Sequence, residues 1–248
     1  MKRAIAAFLS SLVLVACGGG GAATKSRPGT MADESPADLY VNMAAAYYQR
    51  GQMDAALDRG QQAISEDKNS PRAHYVLGIV YQRLGNTQQA QQHFGEAVKL
   101  EPDNPDFLNA HGSMLCLDRK YAEAITQFQR ALKNPLYKTP EVALMNAADC
   151  AKRAARGGES ERFMREALSA NANYAPALLA MAKLSFDRGA YQEARNYMGR
   201  YSRVGQVRPE ALLLASRIET RLGNPKNAKA LADSLRARFP DAPEVMQL

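Results

Sequence analysis

The sequence predicts an all-α chain folded as a right-handed solenoid of six helix–turn–helix repeats. Three observations carry that expectation. Small residues recur at Ala44, Gly78, Gly112, Ala148, Ala182 and Ser216, with successive gaps of 34, 34, 36, 34 and 34. A second small column (Ala56, Ala90, Ala124, Ser160, Ala194, Ala228) follows twelve residues after the first. A third (Ala63, Ala97, Ala131, Ala167, Tyr201, Leu235) follows seven residues after the second. Self-similarity at a period in the thirties is the mark of stacked supersecondary units.

Each column has a physical reason. Two antiparallel helices joined by a short turn approach closely only if their crossing point lacks bulk. Larger residues at helical spacing, such as Leu77, Tyr81 and Phe94, then fill the layer between repeats. Glycines at 51, 85, 189 and 223 mark turns inside repeats. Prolines at 71, 102, 105, 176, 209 and 240 mark repeat starts and ends. These columns match the tetratricopeptide (TPR) pattern, and residues 71–104 are nearly a full match. The repeats fall at 37–70, 71–104, 105–138, 141–174, 175–208 and 209–242, leaving a C-terminal tail, 243–248. The fourth departs most: it follows a two-residue insertion, Thr139-Pro140, carries Ser160 where Ala is usual, and has a loose-looking turn at Arg153–Gly158.

Residues 1–16 read as a lipoprotein signal peptide. Lys2 and Arg3 precede an apolar run from Ala4 to Val15, too short to span a bilayer but of signal-peptide length. The run ends Leu14-Val15-Ala16-Cys17, which resembles the bacterial lipobox and makes Cys17 the expected lipidation site; the alternative is an ordinary secretory signal. Several acyl chains on that residue give stable anchoring where one would not. Gly18 follows, with no Asp there, so the resemblance implies the outer membrane, facing the periplasm. Residues 17–36, rich in Gly, Ser and Pro, read as a lipidated flexible tether. Their glycines do not form a phosphate loop, since no Gly-Lys-Ser/Thr follows.

Of 248 residues, 46% are apolar, none is Trp, and mean hydropathy is −0.39. The formal charge of +7 drops to about +5 without Lys2 and Arg3 and is spread along the chain. That spread, and export, argue against nucleic acid as partner. Enzyme chemistry is missing too. His74, His93 and His111 lie far apart on repeat helices and read as packing or surface residues. There is no His-Glu-x-x-His, no Gly-x-Ser-x-Gly and no paired-cysteine zinc spacing, so no metal, cofactor or small-molecule substrate is expected.

Binding is the function such an array serves, through the face built from its first helices. Repeat one offers Val41, Ala45, Tyr48 and Gln49 to that face, and repeat two offers Tyr75, Ile79, Gln82 and Arg83. This apolar, aromatic end has hot-spot composition and is the expected protein-binding groove. Asn109, Ser113, Met145, Asp149, Lys152 and Arg153 continue it, ending in a more basic stretch, Lys183, Phe186, Arg217 and Arg221. Asn42 near the first helix start lacks the lysine that a carboxylate-gripping TPR would need. Cys116 and Cys150 end the first helices of neighbouring repeats; in an oxidising compartment they form a disulfide or, alternatively, pack as buried thiols.

A lipobox, a short tether and six TPRs together resemble the type IV pilus biogenesis and stability lipoproteins, PilF/PilW, also called pilotins. The likeness covers essentially the whole chain. Asn109-Ala110-His111-Gly112 leading to Arg119-Lys120-Tyr121-Ala122-Glu123-Ala124-Ile125 is similar to that family's third repeat. Ala211-Leu212-Leu213-Leu214-Ala215 and Arg238-Phe239-Pro240 are similar to its last. The resemblance implies a non-catalytic outer-membrane protein that binds the type IV pilus secretin and helps it localise and multimerise. The alternative is a TPR scaffold of another envelope machine, serving outer-membrane protein assembly or peptidoglycan-synthase regulation.

Overall fold

The structure, a computed structural model, describes residues 34–248. The signal peptide, Cys17 and residues 18–33 of the tether lie outside them. The described residues form twelve α-helices in six antiparallel pairs, with no strand among them. The pairs are α1 (Pro36–Gln49) with α2 (Met53–Glu66), α3 (Pro71–Arg83) with α4 (Thr87–Leu100), and α5 (Pro105–Leu117) with α6 (Tyr121–Ala131). They continue with α7 (Pro140–Arg153) and α8 (Gly157–Ala170), α9 (Ala175–Asp187) and α10 (Tyr191–Val204), then α11 (Pro209–Arg221) and α12 (Pro225–Arg238). Each first helix has proline at its first or second position, where the missing N–H would be unpaired anyway. Ser35, Ser70 and Asn104 cap the first three by accepting amides of the opening turn. Ser35 and Pro36 therefore belong to the first repeat and not to the tether.

Inside every repeat the turn is the same. Residues 51, 85, 119, 155, 189 and 223 all have φ between +58 and +78. At each, the next residue's N–H reaches back five residues to a carbonyl of the first helix, as Gln52 does to Tyr47 and Arg156 to Ala151. This is the Schellman ending, and glycine suits it because L side chains clash there. Four positions are glycine; the other two are Arg119 (φ 62) and Ala155 (φ 58). The fourth turn is thus not loose. It is the common turn with an unfavourable residue.

The insertion also sits elsewhere than the sequence suggested. Pro140 starts α7, and the extra chain lies in the segment 132–139. Helix α6 stops early because Pro135 disfavours helical backbone at Asn134 and supplies no N–H. Tyr137, 8% exposed, folds from this segment onto Phe107, Leu108 and Ala143 and fills the gap that the shortened helix leaves.

The small columns meet at the helix crossings. Ala44, Ala148 and Ala182 are fully buried, and a Cβ on Gly78 would come within 2.6 Å of the Phe94 ring. Ser216 donates to the Ala228 carbonyl at 2.9 Å, but the buried Ser160 hydroxyl has no partner among the described residues. First helices of successive repeats touch, α1 with α3, α5 with α7 and α9 with α11, so they line one shared inner face. Arg72 hydrogen-bonds Asn42 at 2.9 Å and pairs with Asp38, tying repeat one to repeat two. Glu161 accepts from Arg165 (2.8 Å) and Arg188 (2.6 Å), which hold its carboxyl down to about 2 and tie α8 to the end of α9. Cys116 and Cys150 are joined in a disulfide, Cα atoms 5.7 Å apart, binding α5 to α7.

The histidines pack. His74 Nε2 lies 3.1 Å from the Lys68 carbonyl, which can only accept, so that nitrogen carries the proton in the neutral ring. His74 Nδ1 then accepts from His93 Nδ1 at 3.0 Å, and Tyr81 stacks on His93 with ring centroids 5.4 Å apart. Burial, then the neighbouring His74 charge, lowers the His93 pKa, against a smaller opposite pull from Glu96. His111, packed near Gly95, is lowered mainly by burial.

Four outcomes are expected. Ala155→Gly and Arg119→Gly each remove a left-handed strain of about 1–2 kcal/mol and add glycine's unfolded-state entropy, for a net gain of about 0.5–1 kcal/mol in urea unfolding. Ser160→Ala adds about 1 kcal/mol by deleting an unpaired buried hydroxyl. Replacing both cysteines by alanine, which opens a loop with sequence separation 34, lowers stability by about 3–4 kcal/mol, measured on oxidised and reduced protein in parallel. The fourth concerns acid. A lowered histidine pKa means that the unfolded chain takes up protons first, so stability present above the ordinary histidine value falls as pH drops through it toward the folded value. His93→Gln flattens the loss that sets in as pH drops below the ordinary histidine value of about 6.5 in thermal melts, leaving the share of His111.

Candidate functional site

From the second repeat on, the first helices turn mainly their fifth, ninth and twelfth positions to the inner face, and two cavities lie there. One holds about 410 Å³ between repeats two and four. Tyr75, Ile79 and Gln82 line it together with Asn109, Ser113, Asp149 and Arg153. Asn146 donates to Asn109 at 2.9 Å across its floor, and Cys116 of the disulfide forms part of its wall. The other is larger, about 740 Å³, and runs along repeats four to six. Its floor is apolar, with Met145, Leu179, Phe186, Leu213 and Leu214.

The expected groove residues separate into groups. Tyr75, Ile79 and Gln82 share the smaller cavity. Tyr75 is also structural: its ring lies 4.9 Å from Phe107 and 5.8 Å from Phe94, and burial, with the Asp106 and Tyr137 charges, pushes its hydroxyl up to about 12. Val41 is 2% exposed and packs against Ala63 and Ala73, so it supports the face from beneath. Ala45 and Tyr48 are half-buried, Gln49 and Arg83 are exposed, and none of the four lines either cavity. Lys183, Phe186 and Arg217 line the larger one, and Arg221 adjoins it beyond Arg217.

Within the basic stretch Lys183 is ion-paired, as is the neighbouring Arg208, whereas Arg217 and Arg221 bond uncharged oxygens. Lys183 pairs with Asp187 at 3.4 Å, and Arg208 with Glu210 at 3.6 Å. Arg221 donates to the Tyr191 hydroxyl at 3.4 Å. Exposed pairs of this kind add little to stability, but they leave a polar rim around an apolar floor, the usual anatomy of a protein-binding patch.

Leu179 and Leu213 were within reach of the sequence, since they hold the fifth positions of repeats five and six. The end wall was not. It is formed by Val204–Arg208, where Tyr201 turns its hydroxyl onto the Gln206 carbonyl at 2.7 Å and packs so tightly that a Cβ on Gly205 would lie 2.5 Å from its ring. Glu244 and Gln247 of the C-terminal segment complete it. No group of three or more metal-ligating side chains occurs among the described residues.

Comparison with known proteins agrees with this architecture. A tetratricopeptide-repeat family model matches residues 75–136 and 179–243, about half of the chain, and a TPR-repeat model matches 44–85. The type IV pilus assembly protein PilF of Pseudomonas aeruginosa is 24% identical over 245 residues, covering 99% of this chain and 97% of that protein. Among solved structures, PilW, described as a widely conserved type IV pilus biogenesis factor, superposes with TM-score 0.77 at 28% identity over 85% of this chain and 97% of its own. Pseudomonas aeruginosa PilF superposes with TM-score 0.78 at 23% identity over 86% and 96%, which speaks to the fold. The chain belongs to the tetratricopeptide-repeat family and is related along its whole length to type IV pilus biogenesis proteins of that family.

Proposed function

We propose that this protein is an outer-membrane lipoprotein pilotin. It is anchored through Cys17, faces the periplasm, and binds type IV pilus secretin subunits on its inner face to promote their localisation and multimerisation. The observation that carries the reading is the full-length relation to a type IV pilus assembly protein, joined to a lipobox-like start. The apolar, polar-rimmed inner face supplies the physical means. A secretin subunit crosses the periplasm with membrane-inserting surface exposed, and an apolar groove shields part of it. A tether of random-coil reach keeps that groove beside the bilayer and raises the local subunit concentration. Assembly is then favoured by mass action, without a catalytic group.

Deleting the gene should deplete heat-resistant secretin multimers in envelope fractions while bulk porins stay unchanged, and Cys17→Ser should reproduce much of that loss. Ile79→Ser and Leu179→Ser each weaken binding of purified secretin by about 1–2 kcal/mol, roughly tenfold, with helix content intact. Unchanged multimers together with depleted porins would assign the protein to outer-membrane protein assembly instead.

A further inference from the structure

The larger cavity is bounded at its C-terminal end by residues that also bound a second cavity of about 560 Å³. Phe186, Leu213, Arg217 and Gln247 line both. Phe186 and Leu213 belong to the floor of the inner face and Arg217 to its rim; Gln247 belongs to the short 3₁₀ helix Pro243–Gln247, which packs on α11 and α12. The two cavities are therefore one groove, divided by the chain's own last residues. The sequence suggested a simple tail here, and the structure shows a crosspiece.

What holds it is slight. Arg217 donates to the Gln247 backbone carbonyl at 3.2 Å and to its side-chain carbonyl at 3.3 Å. The Val245 N–H donates to the carbonyl of the preceding Ala242 at 3.0 Å, and no residue of the helix is buried. Met246 is 90% exposed and Leu248 39%. A segment with few buried contacts opens at low cost compared with the body it rests on. It still borders the same space as Phe186 and Leu213 and satisfies a guanidinium, which is what a bound peptide would do there.

We propose that Pro243–Leu248 is an internal ligand: it fills the C-terminal end of the inner groove and must leave before a partner's segment can occupy the groove's full length. The word ligand rests on the reading of this face as the partner site; the physical displacement does not. Arg217 gives the specificity. An incoming segment replaces the strap only if it brings an apolar side chain for Leu213 and Phe186 and a carbonyl or carboxylate oxygen for Arg217.

The chain has no Trp, so Phe186→Trp installs a unique reporter on the shared floor. Removing residues 243–248 in that background should red-shift the Trp emission and raise acrylamide quenching about twofold, toward a fully exposed indole, with helix content unchanged. A synthetic peptide of residues 241–248 should reverse both effects in the truncated chain and do nothing to the full chain. The concentration needed is bounded: a short tether presents its end at an effective concentration on the order of millimolar, so a strap that is mostly closed must also bind in trans at a few millimolar. Arg217→Ala in the full-length reporter should raise quenching similarly, which keeps the test intact if truncation disturbs α12. Unchanged emission and quenching in both variants overturns the proposal, and so does truncation that exposes the Trp without reversal by several millimolar peptide. None of these readouts involves a pilus component, so their failure is distinct from failure of the pilotin reading, which the envelope fractions report.

Discussion

Everything in this array depends on the close crossing of two helices within each repeat. At that crossing a small residue on the first helix (Ala, Gly or Ser) lets the second helix come close, so close that the Phe94 and Phe128 rings lie directly on Gly78 and Gly112. Bulk at the crossing would separate the pair, and separation would also stretch the turn. The six turns share one conformation because two helices held at that distance leave the chain a single short way back, with one residue in the left-handed region. Packing is so dominant that Arg119 and Ala155 accept a backbone conformation that costs them energy.

This hierarchy explains what the sequence disclosed. The small columns are read directly because the crossing tolerates so few residue types, and they located all six repeats. Turn glycines are a weaker signal. Where packing over-determines the turn, Arg119 and Ala155 stand in for glycine, and the regular turn of repeat four looked irregular. The insertion was legible as a 36-residue gap but not as a place. Only the consequence of Pro135 for α6, and the return of Tyr137 into the core, put it at 132–139.

The inner face was partly legible for a similar reason. Position within a first helix decides which side chains look inward, so Tyr75, Ile79, Gln82, Lys183, Phe186 and Arg217 could be named. How much room lies in front of them depends on groups far off in sequence. At the N-terminal end Val41 is drawn into the core by the small Ala63 and Ala73 beneath it, and the face there lines neither of the two inner-face cavities. At the C-terminal end Tyr201 replaces the alanine usual in the third column. Its ring displaces the chain at Gly205 and builds a wall that gives the larger cavity depth. A bulky residue in a small-residue column was the available sign that this repeat junction differs.

The charges around that cavity have a consequence for recognition. Lys183 with Asp187 and Arg208 with Glu210 are already paired across the rim, so a partner gains little by offering a countercharge to either. Affinity must come from the apolar floor, where Leu179, Phe186, Leu213 and Leu214 lie side by side, and the rim serves to reject segments that would bury a charge against it. Arg217 differs in kind from Lys183 and Arg208. Its partner is an uncharged carbonyl on the lightly held C-terminal segment and not a fixed carboxylate. A neutral bond is the one an incoming carboxylate can better, because a charge-assisted hydrogen bond is roughly twice as strong. The groove is therefore electrostatically closed where Lys183 and Arg208 are paired and open to competition at the Arg217 guanidinium, and that is where a partner's sequence can be read.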